Sequence, residues 1–226
     1  MNPNRVVVLA VTKMLSGMCT GGIALASGKW VRPVKDHGAV LLGDLSYADR
    51  TVMRPFDVVD LPLTKPRPAP PHVEDWLCEF VKIRPVKVGY VIEKRLPFME
   101  RYSEPENVQA LLAGERSLVM FEPSDAEATF ALDSYSGKYD VRVAMPETGE
   151  RPLPVTDIKW RALGRKLLAG RDYVALRADG VRETLATQRI FIALGLSRTH
   201  EGKHWPLVVG VHLWPDYDAE IDYSDL

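Results

Sequence analysis

The sequence predicts an all-β fold of the barrel or sandwich class, mainly strands with a few short helices. Three observations carry that expectation. Short runs rich in Val, Ile and aromatic residues recur along the chain. Gly, Pro, Asp and Ser punctuate them. The runs do not alternate with long helical patterns, as a βαβ protein would require. Their number is about twice that of one five-stranded OB barrel. At 226 residues the chain can bury a sizeable core, as one large β domain or two small ones.

The elements follow in order. RVVVLAVTKM (5–14) reads as a buried strand, followed by GGIALA (21–26). After a Ser-Gly turn come KWVRPV (29–34) and FDVVDLPL (56–63). LPLTKPRPAPP (61–71) is the sharpest break in composition, and its prolines predict an extended connector without ladder hydrogen bonds. PPHVEDWLCEF sets Val73, Trp76, Leu77 and Phe80 at helical spacing. KVGYVIEKR (87–95) reads as a strand. YSEPENVQALLAGE predicts a helix with Ser103 as N-cap, Glu106 completing a capping box and Gly114 as the stop.

RSLVMFEP (116–123), ATFALDSY (128–135) and YDVRVAM (139–145) are strand-like, with Gly137 turning a hairpin loop. The proline-bearing loop MPETGERPLP (145–154) suits a barrel junction. VTDIKWRALGRKLLAG reads two ways. It is a helix capped by Thr156 or Asp157 with Trp160, Leu163 and Leu167 on one face, or a strand followed by a helical turn. DYVALRA (172–178), RIFIALGLSR (189–198) and HWPLVVGVHLW (204–214) complete the strands.

Charge is balanced overall and uneven locally. The chain carries 29 Lys+Arg against 30 Asp+Glu, which argues against a generic polyanion binder. Residues 5–35 contain Arg5, Lys13, Lys29, Arg32 and Lys35 and no acid. The run from Arg151 to Arg171 holds six cations, Arg161 among them, against Asp157 alone. The tail PDYDAEIDYSDL is acidic. It reads either as a loose solvated terminus or as a mimic of nucleic acid folded over a basic groove. Cys19 and Cys78 lack metal-ligand spacing, so no zinc site or other cofactor is expected. No signal peptide or membrane-length apolar run appears, and a reduced cytoplasmic protein is the expectation.

The opening VLAVTKMLSGMCTGGIALASGKWVRPV, the PPHVEDW segment after the proline-rich crossing, and LGLSRTHEGKHWPLVVGVHLWP together resemble the dual OB-containing domain family. The resemblance covers residues 6–215. It implies two OB-like barrels packed together, and nucleic-acid binding that is itself a prediction for the family. The matching partition is a first barrel with a helical insert over residues 1–120 and a second with the acidic tail over 121–226.

An OB surface binds single strands by stacking bases on aromatics while cations track the phosphates. Strand alternation puts Trp30 and Arg32 on one face of 29–34. This offers a stacking plate beside a guanidinium, with Lys13 and Ser16 near its rim; Lys29, on the other face with Val31 and Pro33, is a further phosphate contact. The competing reading packs Trp30 and Val34 in a barrel with Arg32 at its edge. In the late turn, Arg198, Lys203, His204 and Trp205 crowd between two apolar strands, and Arg198 and Lys203 suit phosphate. DNA or RNA is therefore the expected partner, bound without catalysis, with Arg161 as a further phosphate contact. A runner-up is a small enzyme acting on a nucleotide or base, with His72, Asp75 or His204 as acid–base groups. His72 and Asp75 read equally well as a capping arrangement. Metal binding by His200, His204 and His212 is weak by spacing, and no nucleophile elbow, phosphate loop or dinucleotide fingerprint occurs. A third reading offers TKPRPAPP to a protein partner as a polyproline ligand.

Overall fold

A computed structural model describes residues 4–14, 16–91, 94–199 and 201–223. In the first half, β1 (Arg5–Met14), β2 (Gly17–Ala24), β3 (Lys29–Val34), β4 (Asp57–Asp60), β5 (Leu63–Pro66), β6 (Asp75–Cys78) and β7 (Val86–Tyr90) are followed by two helices, α1 (Arg95–Arg101) and α2 (Val108–Leu112). The strands form one seven-stranded sheet in the order β5-β6-β3-β2-β1-β4-β7, curled into a half-barrel. In the second half come β8 (Leu118–Phe121), β9 (Glu127–Leu132), β10 (Tyr139–Ala144), β11 (Leu153–Pro154), α3 (Ile158–Leu168), β12 (Tyr173–Arg177), α4 (Ala178–Thr184), β13 (Arg189–Leu196) and β14 (Pro206–Trp214). They build a four-stranded sheet, β11-β10-β9-β12, and a three-stranded sheet, β14-β13-β8. Strand residues outnumber helical ones by 41% to 19%, so the fold is all-β and OB-like.

The unbroken apolar run of β1 has a direct cause. Val6, Val8 and Val11 enter the core inside the half-barrel, while Val7, Leu9 and Ala10 enter a second core against the three-stranded sheet. A strand buried on both faces has no polar positions to alternate. That second core, with Ile23, Trp30 and Phe56 facing Met120, Phe191, Ala193 and Val209, joins the two halves. Main-chain contacts reinforce the joint: Lys13 N–H donates to Thr156 O at 3.3 Å, and Thr156 N–H to Val208 O at 2.9 Å. A boundary after residue 120 would fall inside β8, which pairs along its length with β13.

Several local expectations are corrected. PPHVEDWLCEF is not a helix. It supplies β6, parallel to β3, because Arg32 N–H finds Glu74 O at 2.8 Å and open main-chain groups on β3 outweigh a helical spacing. The proline-rich connector is not free of ladder bonds either: β5 is an exposed edge strand, and Arg67 N–H donates to Asp75 O at 2.8 Å. That pinning removes the ground for reading it as a mobile polyproline ligand. The helix after Ser103 exists, but Pro105 opens a short 3₁₀ turn and the cap residue Asn107 makes no side-chain capping bond, its amide donating to Glu104 instead, so the capping box is absent. Helices α1 and α4 were not anticipated.

The ambiguous segment is a helix. Asp157 caps α3, its Oδ1 accepting from Lys159 N at 2.8 Å and Trp160 N at 3.3 Å, while Oδ2 accepts from Val211 N at 2.8 Å. Gly164 lets that helix seat on β9 and β10, since a Cβ there would overlap the Phe130 ring and the Tyr139 hydroxyl. Gly164→Ala is expected to destabilise the protein by about 1–3 kcal/mol through overpacking. A urea midpoint unchanged from the parent protein would show that the helix simply slides.

Candidate functional site

Parallel pairing of β3 with β6 sets Arg32 opposite Asp75 in register. Arg32 Nε donates to Asp75 Oδ1 at 2.6 Å, and Arg198, just beyond β13, donates from Nη2 to Oδ2 at 2.9 Å. Asp75 is 2% exposed and Arg32 5%, whereas the Arg198 side chain is about half exposed. One carboxylate thus sits between two guanidiniums, leaving the cluster net positive. Neighbouring Glu74 clamps the second half, accepting from Ser117 N at 3.0 Å, Leu118 N at 3.1 Å and Ser117 Oγ at 2.8 Å. His72 stacks edge-on against His204 with ring centres 5.1 Å apart. Burial first, then the Arg32 and Arg198 charges, push His72 down to about 3.

The loop after β13 is braced by its own side chains. His204 Nδ1 lies 2.8 Å from Ser197 O, and Trp205 N–H donates to Ser197 Oγ at 2.9 Å. This leaves the Trp205 indole 40% exposed, with the Arg151 guanidinium 5.6 Å from its ring centre. Lys203 is exposed beside it. Between this loop and the first sheet opens a cavity of about 230 Å³, bounded by Thr12, Ser16, Cys19, Thr20, Arg32 and Arg198 among mostly apolar walls.

A second cavity, about 880 Å³, lies where the two basic segments meet. Lys13 from β1 joins Arg161, Arg165 and Lys166 from α3, and the facing wall is the tail, with Asp218, Glu220 and Asp222. The tail is therefore no loose terminus. Asp216 bridges Arg95 at 2.6 Å and Lys159 at 2.8 Å, Tyr217 is buried, and Ile221 and Tyr223 pack on the half-barrel core.

The family model of the dual OB-containing domain matches residues 4–211. The chain belongs to that family. No curated protein and no solved structure matches it.

In this dual OB-containing protein the residues singled out from sequence divide into three groups. Arg32, Asp75, His72, Arg198 and His204 converge, although they come from three distant segments. Ser16 lies on the wall of the cavity beside them, and Lys203 and Trp205 at its outer loop. Lys13 and Arg161 meet at the second cavity, where Arg161 is half-buried and donates to Val155 O at 3.2 Å and Tyr139 O at 3.3 Å. Lys29 stays apart, exposed at the first position of β3.

The exposed Trp30–Arg32 face is corrected. Trp30 is 6% exposed and packs in the core between the halves, because β3 is covered on both sides. Arg32 is paired with Asp75 below the surface rather than presented on it to a backbone phosphate. Two of the three acid–base candidates sit in unfavourable surroundings: burial and the Arg32 and Arg198 charges push His72 down to about 3, and both Asp75 oxygens accept from guanidiniums. No described helix is long and apolar enough to span a membrane. Among the described residues no group of three His, Cys, Asp or Glu could hold a metal; His200 lies outside them.

Sequence reasoning missed Arg151 as the partner of Trp205, and the apolar cavity itself. Arg151 was visible only as one cation in a basic run. No spacing rule links it to a residue more than fifty positions on.

Proposed function

We propose that the protein binds single-stranded nucleic acid along the rim made by Arg151, Arg198, Lys203 and Trp205. The supporting observation is the Trp205 indole, held in place by its loop, exposed, and bordered by cations. An exposed aromatic supplies a stacking plate worth about 1–3 kcal/mol per base, and cations neutralise phosphates beside it. Membership in an OB-based family supports the same reading. The basic cavity under α3 is left out of this rim, because tail carboxylates already face its cations.

Fluorescence anisotropy with labelled single-stranded DNA and RNA tests the proposal. Saturable binding is expected, weakening as salt rises because phosphate contacts release counterions. Trp205→Ala is expected to weaken it by about 5- to 150-fold, the equivalent of that stacking energy. Absence of saturable binding to either polymer at low salt would end the proposal. An unchanged Trp205→Ala affinity would remove the stacking plate.

A further inference from the structure

The 230 Å³ cavity beside this rim has features that a plain gap between sheets would lack. Its walls are largely apolar: Met14, Met18, Val40, Leu118, Leu207 and Val209. One wall carries Arg32, a guanidinium more than nine-tenths buried. Asp75 satisfies Nε, while Nη2 has no hydrogen-bond partner among the described residues. Unmade donors on a buried cation are costly to fold around, and a ligand that accepts from them would recover that cost.

The wall chemistry restricts what such a ligand can be. A phosphate would give up most of its hydration to face methyl groups and cations that already have partners, Arg32 and Arg198 at Asp75 and Lys35 at Asp44. A flat ring suits better, because apolar walls cover its faces while its edge offers acceptors. Two adjacent acceptors on one edge match the forked donors of an arginine, and guanine presents that pair as O6 and N7. The volume is below the roughly 300–1,000 Å³ of sites for drug-sized ligands, so it suits one ring system and little more. Arg198 belongs to both the cavity wall and the rim, which places the opening where a strand would pass.

We propose that this cavity receives a single unstacked guanine-type base from the bound strand, its acceptor edge taken by Arg32. The inference rests on the nucleic-acid reading above and adds a base preference to it. Free guanine nucleotide carries the same edge and is the other source that the experiment separates.

The experiment compares labelled all-dT strands, strands with one central dG, and strands with 7-deaza-dG, which lacks the N7 acceptor. Guanosine monophosphate is tested separately by protection of Cys19, a half-buried thiol on the cavity wall, from maleimide. The dG strand is expected to bind about 5- to 150-fold more tightly than all-dT, as a bidentate base contact would give. 7-Deaza-dG should lose most of that gain. Arg32→Lys should bring the dG strand down to the all-dT affinity. Ala39→Leu, which fills the cavity from a half-buried loop position without touching the Asp75 cluster, should do the same if Arg32→Lys fails to fold.

Equal affinity for all three strands would overturn the inference and leave the binding reading standing. Protection of Cys19 by the mononucleotide without strand binding would overturn the strand as the source and the rim reading with it. Failure of both would overturn both.

Discussion

Replacing Asp75 by Ala is expected to lower the free energy of unfolding by about 3–5 kcal/mol, the usual cost of removing one partner from a buried ion pair. For a chain of this size that corresponds to a fall in Tm of very roughly 6–20 °C. The effect is large because the carboxylate does two jobs at 2% exposure. It neutralises Arg32, which is 5% exposed, and it ties Arg198 to the opposite half at 2.9 Å. Without it the Arg32 guanidinium stays buried beside that of Arg198 with no ion-pair partner among the described residues. Asp75→Asn keeps an acceptor and should cost less than the alanine. Urea denaturation of both variants checks this, and a loss below about 1 kcal/mol in Asp75→Ala would mean that water already reaches the cluster.

The second large effect is acid sensitivity. His212 is 1% exposed, edge-on to the Phe56 ring at 5.1 Å, and burial together with the nearby Arg95 charge pushes it down to about 3. His72 is pushed down to about 3 as well. In the unfolded chain both titrate near 6.5. The folded state therefore holds its full stability above about pH 6.5 and loses it as pH falls from there toward 3, because only the unfolded chain takes up the protons. For His212 alone the loss reaches at most about 5 kcal/mol at pH 3.

Asp157 acts in the opposite sense. Burial raises it to about 6, so its ionised form is a burden above that pH, relieved as pH falls from 6 toward 3.8. Two histidines outweigh this one carboxyl. Urea midpoints measured between pH 7.5 and 4 should fall steadily, and His212→Leu should flatten the curve. A midpoint independent of pH across that range would show that the imidazole is hydrated in the folded protein.

The fold was legible wherever a residue's surroundings are set by its near neighbours in the chain. Gly137 turns its hairpin at a φ of 68°, and α3 begins at the Asp157 that was one of two candidate caps. The helical spacing in PPHVEDWLCEF misled because Trp76 and Leu77 answer to β3, a strand more than forty residues away, not to a helical neighbour. Trp30 illustrates the same limit. Alternation correctly put it on one side of β3 with Arg32, but alternation cannot tell that a second sheet covers that side. At the candidate site, residue types pointed to Arg198, Lys203 and Trp205, since polar and aromatic groups crowd one turn.

Composition and patterning were sufficient for the all-β class and the local basic segments, because these depend on period, punctuation and charge along the chain; the family was legible only as a resemblance carried by three ordered strings. Which cations meet which acids was decided only by tertiary structure. Arg32 finds Asp75 across 43 positions, and Lys13 faces a tail about two hundred residues downstream. Coulomb and hydrogen-bond energies depend on distance in space, and strand pairing at long separation sets that distance without leaving a periodic trace in the chain.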